Sequence, residues 1–195
     1  MIGSLKGIIV SKSPPQLSIE VAGVGYDVEA PMSTFYALPA VGQSARILTH
    51  LVVRDDAHIL YGFATDAERA LFRSLIKVSG VGPRIALAIL SGVSIDAFIV
   101  CVQQQDSATL IKIPGVGRKI AERLVIEMRD RVGATLTPNA DSNLPPGSPA
   151  AEAFHAMVAL GYKGPEATRL LQAAGPGTQS TEEIIRRALQ RANRE

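Results

Sequence analysis

One twelve-residue unit occurs twice in this chain, 35 residues apart. Leu-Ile-Lys-Val-Ser-Gly-Val-Gly-Pro-Arg-Ile-Ala at 75–86 returns as Leu-Ile-Lys-Ile-Pro-Gly-Val-Gly-Arg-Lys-Ile-Ala at 110–121, with eight of the twelve positions identical. Each copy is an apolar run, a Gly-Val-Gly turn and a helical pattern. Glycine opens left-handed backbone angles and leaves no side chain over the neighbouring N–H groups. The helix that follows begins with unpaired N–H donors and a partial positive charge. A phosphate oxygen fits there. One copy alone reads as a plain bend between two helices. Two copies at fixed spacing, each followed by cations, favour a grip on a nucleic-acid backbone. The expected contacts are Gly80, Val81, Gly82 and Arg84 in the first copy. In the second they are Gly115, Val116, Gly117, Arg118, Lys119 and Arg123. Lys119 and Arg123 lie four apart and share a helix face. No base-reading pattern accompanies them, so the contacts should be independent of sequence.

The charge distribution agrees. The whole chain of 195 residues carries only +2. Residues 65–134, which hold both copies, carry +3, while residues 1–64 carry −1. A backbone-binding surface needs that concentration of positive charge. Hydrophobic residues make up 47%, enough for real cores. No apolar run reaches the roughly 18 residues of a membrane span. No secretory signal pattern opens the chain, so a cytoplasmic protein is expected. The single Cys101 has no intrachain disulfide partner and reads as a small core residue.

The pattern along the chain predicts an α+β multidomain protein. Residues 1–64 read as five or six short strands forming a small OB-fold barrel. Leu17, Ile19 and Val21 alternate with polar partners, the period of a half-buried strand. Residues 47–53 and 59–63 read as a hairpin around Arg54-Asp55-Asp56-Ala57. Gly23, Gly25, Pro31, Pro39 and Gly42 read as turns. Residues 65–132 switch to helical spacing, with Thr65 or Asp66, Ser94 and Asp106 as caps. Residues 133–149 hold four prolines and no apolar period, the composition of a linker. As a coil it would reach roughly 20–25 Å. Residues 150–195 read as three short helices, a UBA-like unit poor in catalytic residues. Three short helices cannot bury all their large apolar residues, so some should face a partner. Tyr162, Leu170 and Leu171 are the candidates.

Several chemistries are absent from the pattern. The three His and one Cys lack zinc spacing. Asp55 and Asp56 alone make a poor cation cage. No Gly-x-x-x-x-Gly-Lys-[Ser/Thr] run is present, so the chain should not hydrolyse ATP. No catalytic residue, metal or cofactor is assigned.

The motifs taken together resemble the RuvA family. The resemblance rests on the paired Gly-Val-Gly units, on Met1–Gly7 and on Gly23-Val24-Gly25-Tyr26. Residues 49–57, Leu60-Tyr61-Gly62-Phe63 and Ala86–Gly92 carry it further. It covers essentially the whole chain and is weakest in the linker. It implies a non-catalytic scaffold for four-way (Holliday) junction DNA, acting in recombination and repair as a homotetramer, with one or two tetramers per junction. It also implies that Asp55 and Asp56 form an acidic pin at the junction centre. Many members have Glu where this chain has Asp55. The C-terminal unit would dock the RuvB motor ATPase, with the RuvC resolvase in the same complex. Without the resemblance, Asp55-Asp56 reads as a solvated hairpin turn.

Two rivals come from other classes. A structure-specific nuclease or glycosylase with paired helix–hairpin–helix motifs would need a metal cluster or a catalytic Lys/Asp, and Asp130 is the nearest downstream acid, without a clear partner. A helical protein-binding adaptor would show no affinity for junction DNA.

Overall fold

A computed structural model describes residues 1–135, 148–162, 164–173 and 180–192, with the side chains of 130–135 left aside. It contains two compact units, Met1–Leu136 and Thr137–Glu195.

The first unit opens with β1 (Ser4–Ser13), β2 (Gln16–Val21) and β3 (Val24–Glu29), then α1 (Met32–Ala37), β4 (Ser44–Val53) and β5 (His58–Phe63). The strands close into a barrel in the order β1-β2-β3-β5-β4, with β4 returning to β1. Only the β3–β5 pair is parallel. Alternation explains the barrel: Ile9 faces Ile19 across β1–β2, Leu17 faces Val28 across β2–β3, and all four are buried. Gly7 is a steric necessity, because a Cβ there would collide with the Glu20 carbonyl.

The strand count settles at five, because residues 32–37 form a helix rather than part of a strand. Pro31, expected in a turn, is the N-cap of α1, and Gly25 lies inside β3. The helix was illegible because only six residues form it, while Phe35 and Leu38 join the barrel core across the chain. Lys12 Nζ stabilises its end by donating to the carbonyls of Phe35, Leu38 and Pro39 at 3.1–3.2 Å.

The helices of this unit are α2 (Asp66–Leu75), α3 (Pro83–Gly92), α4 (Ile95–Gln103), α5 (Ser107–Ile111) and α6 (Arg118–Thr135). Their starts follow local chemistry. Thr65 and Glu68 form a complete capping box on α2. Ser94 caps α4 and Asp106 caps α5. Phe72 of α2 lies 5.0 Å from the Tyr61 ring and 4.9 Å from the Phe63 ring, both on β5. Tyr61 and Phe63 thereby belong to the helical core. This shared core makes one compact unit of the segments expected as separate domains at 1–64 and 65–132.

The second unit holds α7 (Pro149–Ala159), α8 (Gly164–Ala173) and α9 (Thr181–Ala192) around Met157, Ala167, Leu170 and Ala188. Gly161 at φ 103 ends α7, with Tyr162 N–H donating to the Met157 carbonyl and Gly161 N–H to that of Val158. The predicted linker, 133–149, overlaps helices at both ends. Residues 133–135 belong to α6, and Ser148 and Pro149 start α7. Its remainder, 136–147, lies outside the described residues.

Candidate nucleic-acid interface

The two Gly-Val-Gly turns have the same geometry. Gly80 and Gly115 take φ values of 87 and 85, a left-handed turn that L side chains rarely adopt. The next residue is a peg. Val81 and Val116 are each 4% exposed in the core, and their N–H groups donate to Val78 and Ile113 carbonyls at 3.0 Å. Both residues were expected among the contacts, but here their side chains are buried and their N–H groups bonded within the fold. Spacing alone could not separate a peg from a contact.

Gly82 and Gly117 then start the helices. The Ala86 N–H donates to the Gly82 carbonyl at 3.0 Å, and the Ala121 N–H to the Gly117 carbonyl at 2.9 Å. Gly82 has φ −81 and ψ 169 and no side-chain cap. A Cβ at Gly82 or Gly117 would meet nothing within 4 Å, and neither residue is left-handed. The fold therefore does not require glycine at either place. Pro83 removes one donor from the first site, whereas Arg118 keeps its N–H in the second.

The two copies pack reciprocally. A Cβ at Gly80 would sit 4.0 Å from Ile120 Cγ1, and one at Gly115 3.8 Å from Ile85 Cγ1. Ile85 and Ile120 hold equivalent places in the repeat. The two turns are thus neighbours in space, each packed against the other's helix.

The cations differ in freedom. Arg84 and Lys119 are exposed. Arg118 is exposed and pairs with Glu122 at 3.0 Å. Arg123 Nη1 donates to the Ser79 carbonyl at 3.0 Å, and its Nε lies 4.0 Å from Glu127. Lys77 and Lys112, three residues before Gly80 and Gly115, are also exposed. Their identity in both copies is a sequence signal beyond the cations named above.

Asp55 and Asp56 occupy the tip between β4 and β5, closed by Arg54 N–H donating to the Ala57 carbonyl at 2.9 Å. Both are exposed. Among the described residues neither carboxylate has an ion-pair or hydrogen-bond partner. Beneath this hairpin, His50 lies edge-on to Phe72 at 5.6 Å and its Nδ1 accepts from Arg73 Nε at 3.4 Å. Burial, then the charges of Arg73 and Arg69, hold this imidazole below its ordinary pKa. Among the described residues no three His, Cys, Asp or Glu cluster as metal ligands do. Cys101 is buried, and burial pushes its thiol pKa up. No single described helix is long and apolar enough to cross a membrane.

In the second unit, Leu170 is 3% exposed and belongs to the local core, against its expected place on a docking surface. It falls on the inner face of α8 beside Ala167. Tyr162 and Leu171 are partly buried against that core. Among the described residues of this unit, the large apolar side chain left outside is Leu160, 60% exposed.

Comparison with known proteins accounts for all three regions. The profile of the RuvA N terminal domain matches residues 1–62. A SAM-like helix-hairpin-helix tandem matches 72–130. The RuvA C-terminal domain matches 148–193. A relative from Methylococcus capsulatus is 51% identical, covering 100% of both chains. One from Thioalkalivibrio sulfidiphilus is 54% identical over 97% of this chain and 98% of its own. The chain belongs to the RuvA family. A further RuvA relative, from Vibrio cholerae, is 50% identical over 97% of this chain and 98% of its own. All three relatives are named as the RuvA subunit of the Holliday junction branch migration complex. The RuvA N-terminal match falls on the barrel, and the tandem match spans both Gly-Val-Gly turns.

Proposed function

We propose that this chain is the non-catalytic DNA-binding subunit of a branch-migration assembly. It grips four-way (Holliday) junction DNA through the backbone at two adjacent phosphates per chain. The observation that carries this reading is the pair of glycine N-caps, Gly82 and Gly117, each with open space where a Cβ would stand. Gly82, Arg84 and Ile85 offer N–H donors in the first site; Gly117, Arg118, Lys119 and Ile120 offer them in the second. Arg84, Lys119 and Arg118 supply charge. Gly80 and Gly115 shape the turns.

Four chains assemble as a homotetramer, and one or two tetramers enclose a junction. Asp55 and Asp56 of each chain meet at the centre. Their carboxylates repel phosphates across a gap poor in water and keep the arms apart. The second unit recruits the RuvB motor ATPase, which supplies ATP hydrolysis. Leu160, Tyr162 and Leu171 are the docking residues in this reading, and RuvC resolvase joins the same complex. Covalent linkage of the two units keeps the motor at high local concentration.

The test is a gel shift with labelled four-way junction and matched duplex, with Mg²⁺ present. Tight junction binding that weakens steeply with salt, without strand cleavage, is the expected result. Cleavage would favour the nuclease rival, and absence of binding the adaptor.

A further inference from the structure

Arg123 stands among the cations expected to touch phosphate, yet its geometry is committed inward. Its Nη1 donates to the Ser79 carbonyl at 3.0 Å, 44 residues earlier in the chain. That carbonyl belongs to the peptide that leads into Gly80, the left-handed residue of the first turn. Its Nε lies 4.0 Å from Glu127 Oε1. Nη1 is also 4.0 Å from the place of a Gly80 Cβ. The second helix–hairpin–helix thus reaches across and holds the peptide plane that aims the first turn.

The contact runs one way. By the 35-residue repeat, the counterpart of Arg123 is Ala88, and that of Ser79 is Pro114. Alanine has no donor, so nothing equivalent runs from the first copy to the second. The asymmetry matches need. The first site lacks the Pro83 donor and has fewer cations close to its turn. It depends more on the correct aim of the donors that remain, Gly82, Arg84 and Ile85.

We infer that Arg123 is a positioning residue, a brace that sets the first phosphate site from the second motif, rather than a phosphate ligand. The inference rests on the phosphate-grip reading above. A brace and a ligand differ in a measurable way. Removing a phosphate-binding cation lowers the slope of log K against log salt by about 1. Removing a brace lowers affinity and leaves the slope alone.

The experiment compares full-length wild type, R123Q and K119Q on a labelled four-way junction across a salt series. Hydrogen exchange at the Val81 amide is followed in the free proteins. The brace predicts an affinity loss of about 10-fold for R123Q, the scale of one charge-assisted hydrogen bond. It predicts a wild-type salt slope for R123Q and a slope lower by about 1 for K119Q. It also predicts faster Val81 exchange in R123Q only, because that N–H closes the first turn onto Val78. A slope lower by about 1 in R123Q would make Arg123 an ordinary ligand and overturn the proposal. So would unchanged affinity or unchanged Val81 exchange in R123Q. If wild type shows no salt dependence, the phosphate grip itself fails, while the exchange result still decides whether the brace exists.

Discussion

The Glu68 carboxylate on α2 accepts a hydrogen bond from Ser33 Oγ on α1 at 2.5 Å, joining the barrel to the first helix of the DNA-binding region. Its second oxygen accepts from Thr34 Oγ1 and from the backbone N–H groups of Ala64 and Thr65 at 3.0–3.3 Å. Glu68 is only 7% exposed. A buried carboxylate is tolerable because every one of these donors faces it.

Glu68→Ala removes the side-chain half of the capping box, while the residue-68 N–H still donates to Thr65 Oγ1, and takes the acceptor from the buried Thr34 hydroxyl. The expected loss is about 1–3 kcal/mol, from the lost carboxylate hydrogen bonds and the orphaned Thr34 hydroxyl. Urea unfolding followed by circular dichroism measures it. A loss below about 0.5 kcal/mol would mean that water replaces the carboxylate without cost.

The four turn glycines should separate into two classes. Gly80→Ala and Gly115→Ala force a side chain into left-handed backbone and should each cost about 1–2 kcal/mol of stability. Gly82→Ala and Gly117→Ala meet open space and should leave the melting temperature within about 2 °C. The Gly82→Ala, Gly117→Ala double variant should nevertheless lose junction affinity by at least about 10-fold, since each Cβ stands where a phosphate would sit. Calorimetry and a gel shift on the same preparations check both halves.

Asp55 and Asp56 are exposed, so Asp55→Asn with Asp56→Asn should leave stability unchanged. Loss of their repulsion should raise duplex affinity about 3–10-fold at low salt and narrow the preference for junctions. The effect should shrink as salt rises. Fluorescence anisotropy with duplex and junction at two salt concentrations reads it. A junction affinity that collapses as it does in the glycine double variant contradicts a repulsive pin.

His50 should leave a mark on the pH dependence of stability. Its pKa in the folded protein lies below the ordinary value of 6.5. Above 6.5 the imidazole is neutral in both states, and its contribution is complete. As pH falls through 6.5, the unfolded chain takes up the proton first, so stability declines until the folded imidazole titrates as well. His50→Gln should flatten that part of the profile in denaturant midpoints between about pH 7 and 5. A wild-type profile already flat over this range would show that burial and the Arg73 and Arg69 charges together do not lower the imidazole pKa.

Much of the architecture was readable residue by residue. The start of α2 at Thr65 or Asp66, the Ser94 and Asp106 caps, the Gly161 terminus and the alternation of Leu17 and Ile19 were all visible, and the structure chose Thr65 as the cap. Each is decided by groups within about five residues, so a local pattern records it. The doubled Gly-Val-Gly unit was legible for the same reason. Its internal division was not. Whether Val81 or Gly82 faces outward depends on what lies beneath the turn.

The sequence alone determined that two like turns open two helices, that a barrel precedes them and that a helical unit follows. Tertiary structure decided the rest. Phe72 fused the barrel to the helices by inserting against Tyr61 and Phe63. Core packing turned Val81 and Val116 inward and took Leu170 from the surface. A hydrogen bond spanning 44 residues drew Arg123 to Ser79. The physical reason is range. Caps, turns and periods are short-range preferences written into neighbouring residues. Burial and cross-chain hydrogen bonds exist only once distant segments share a core, and they determine which members of a motif remain free to meet DNA.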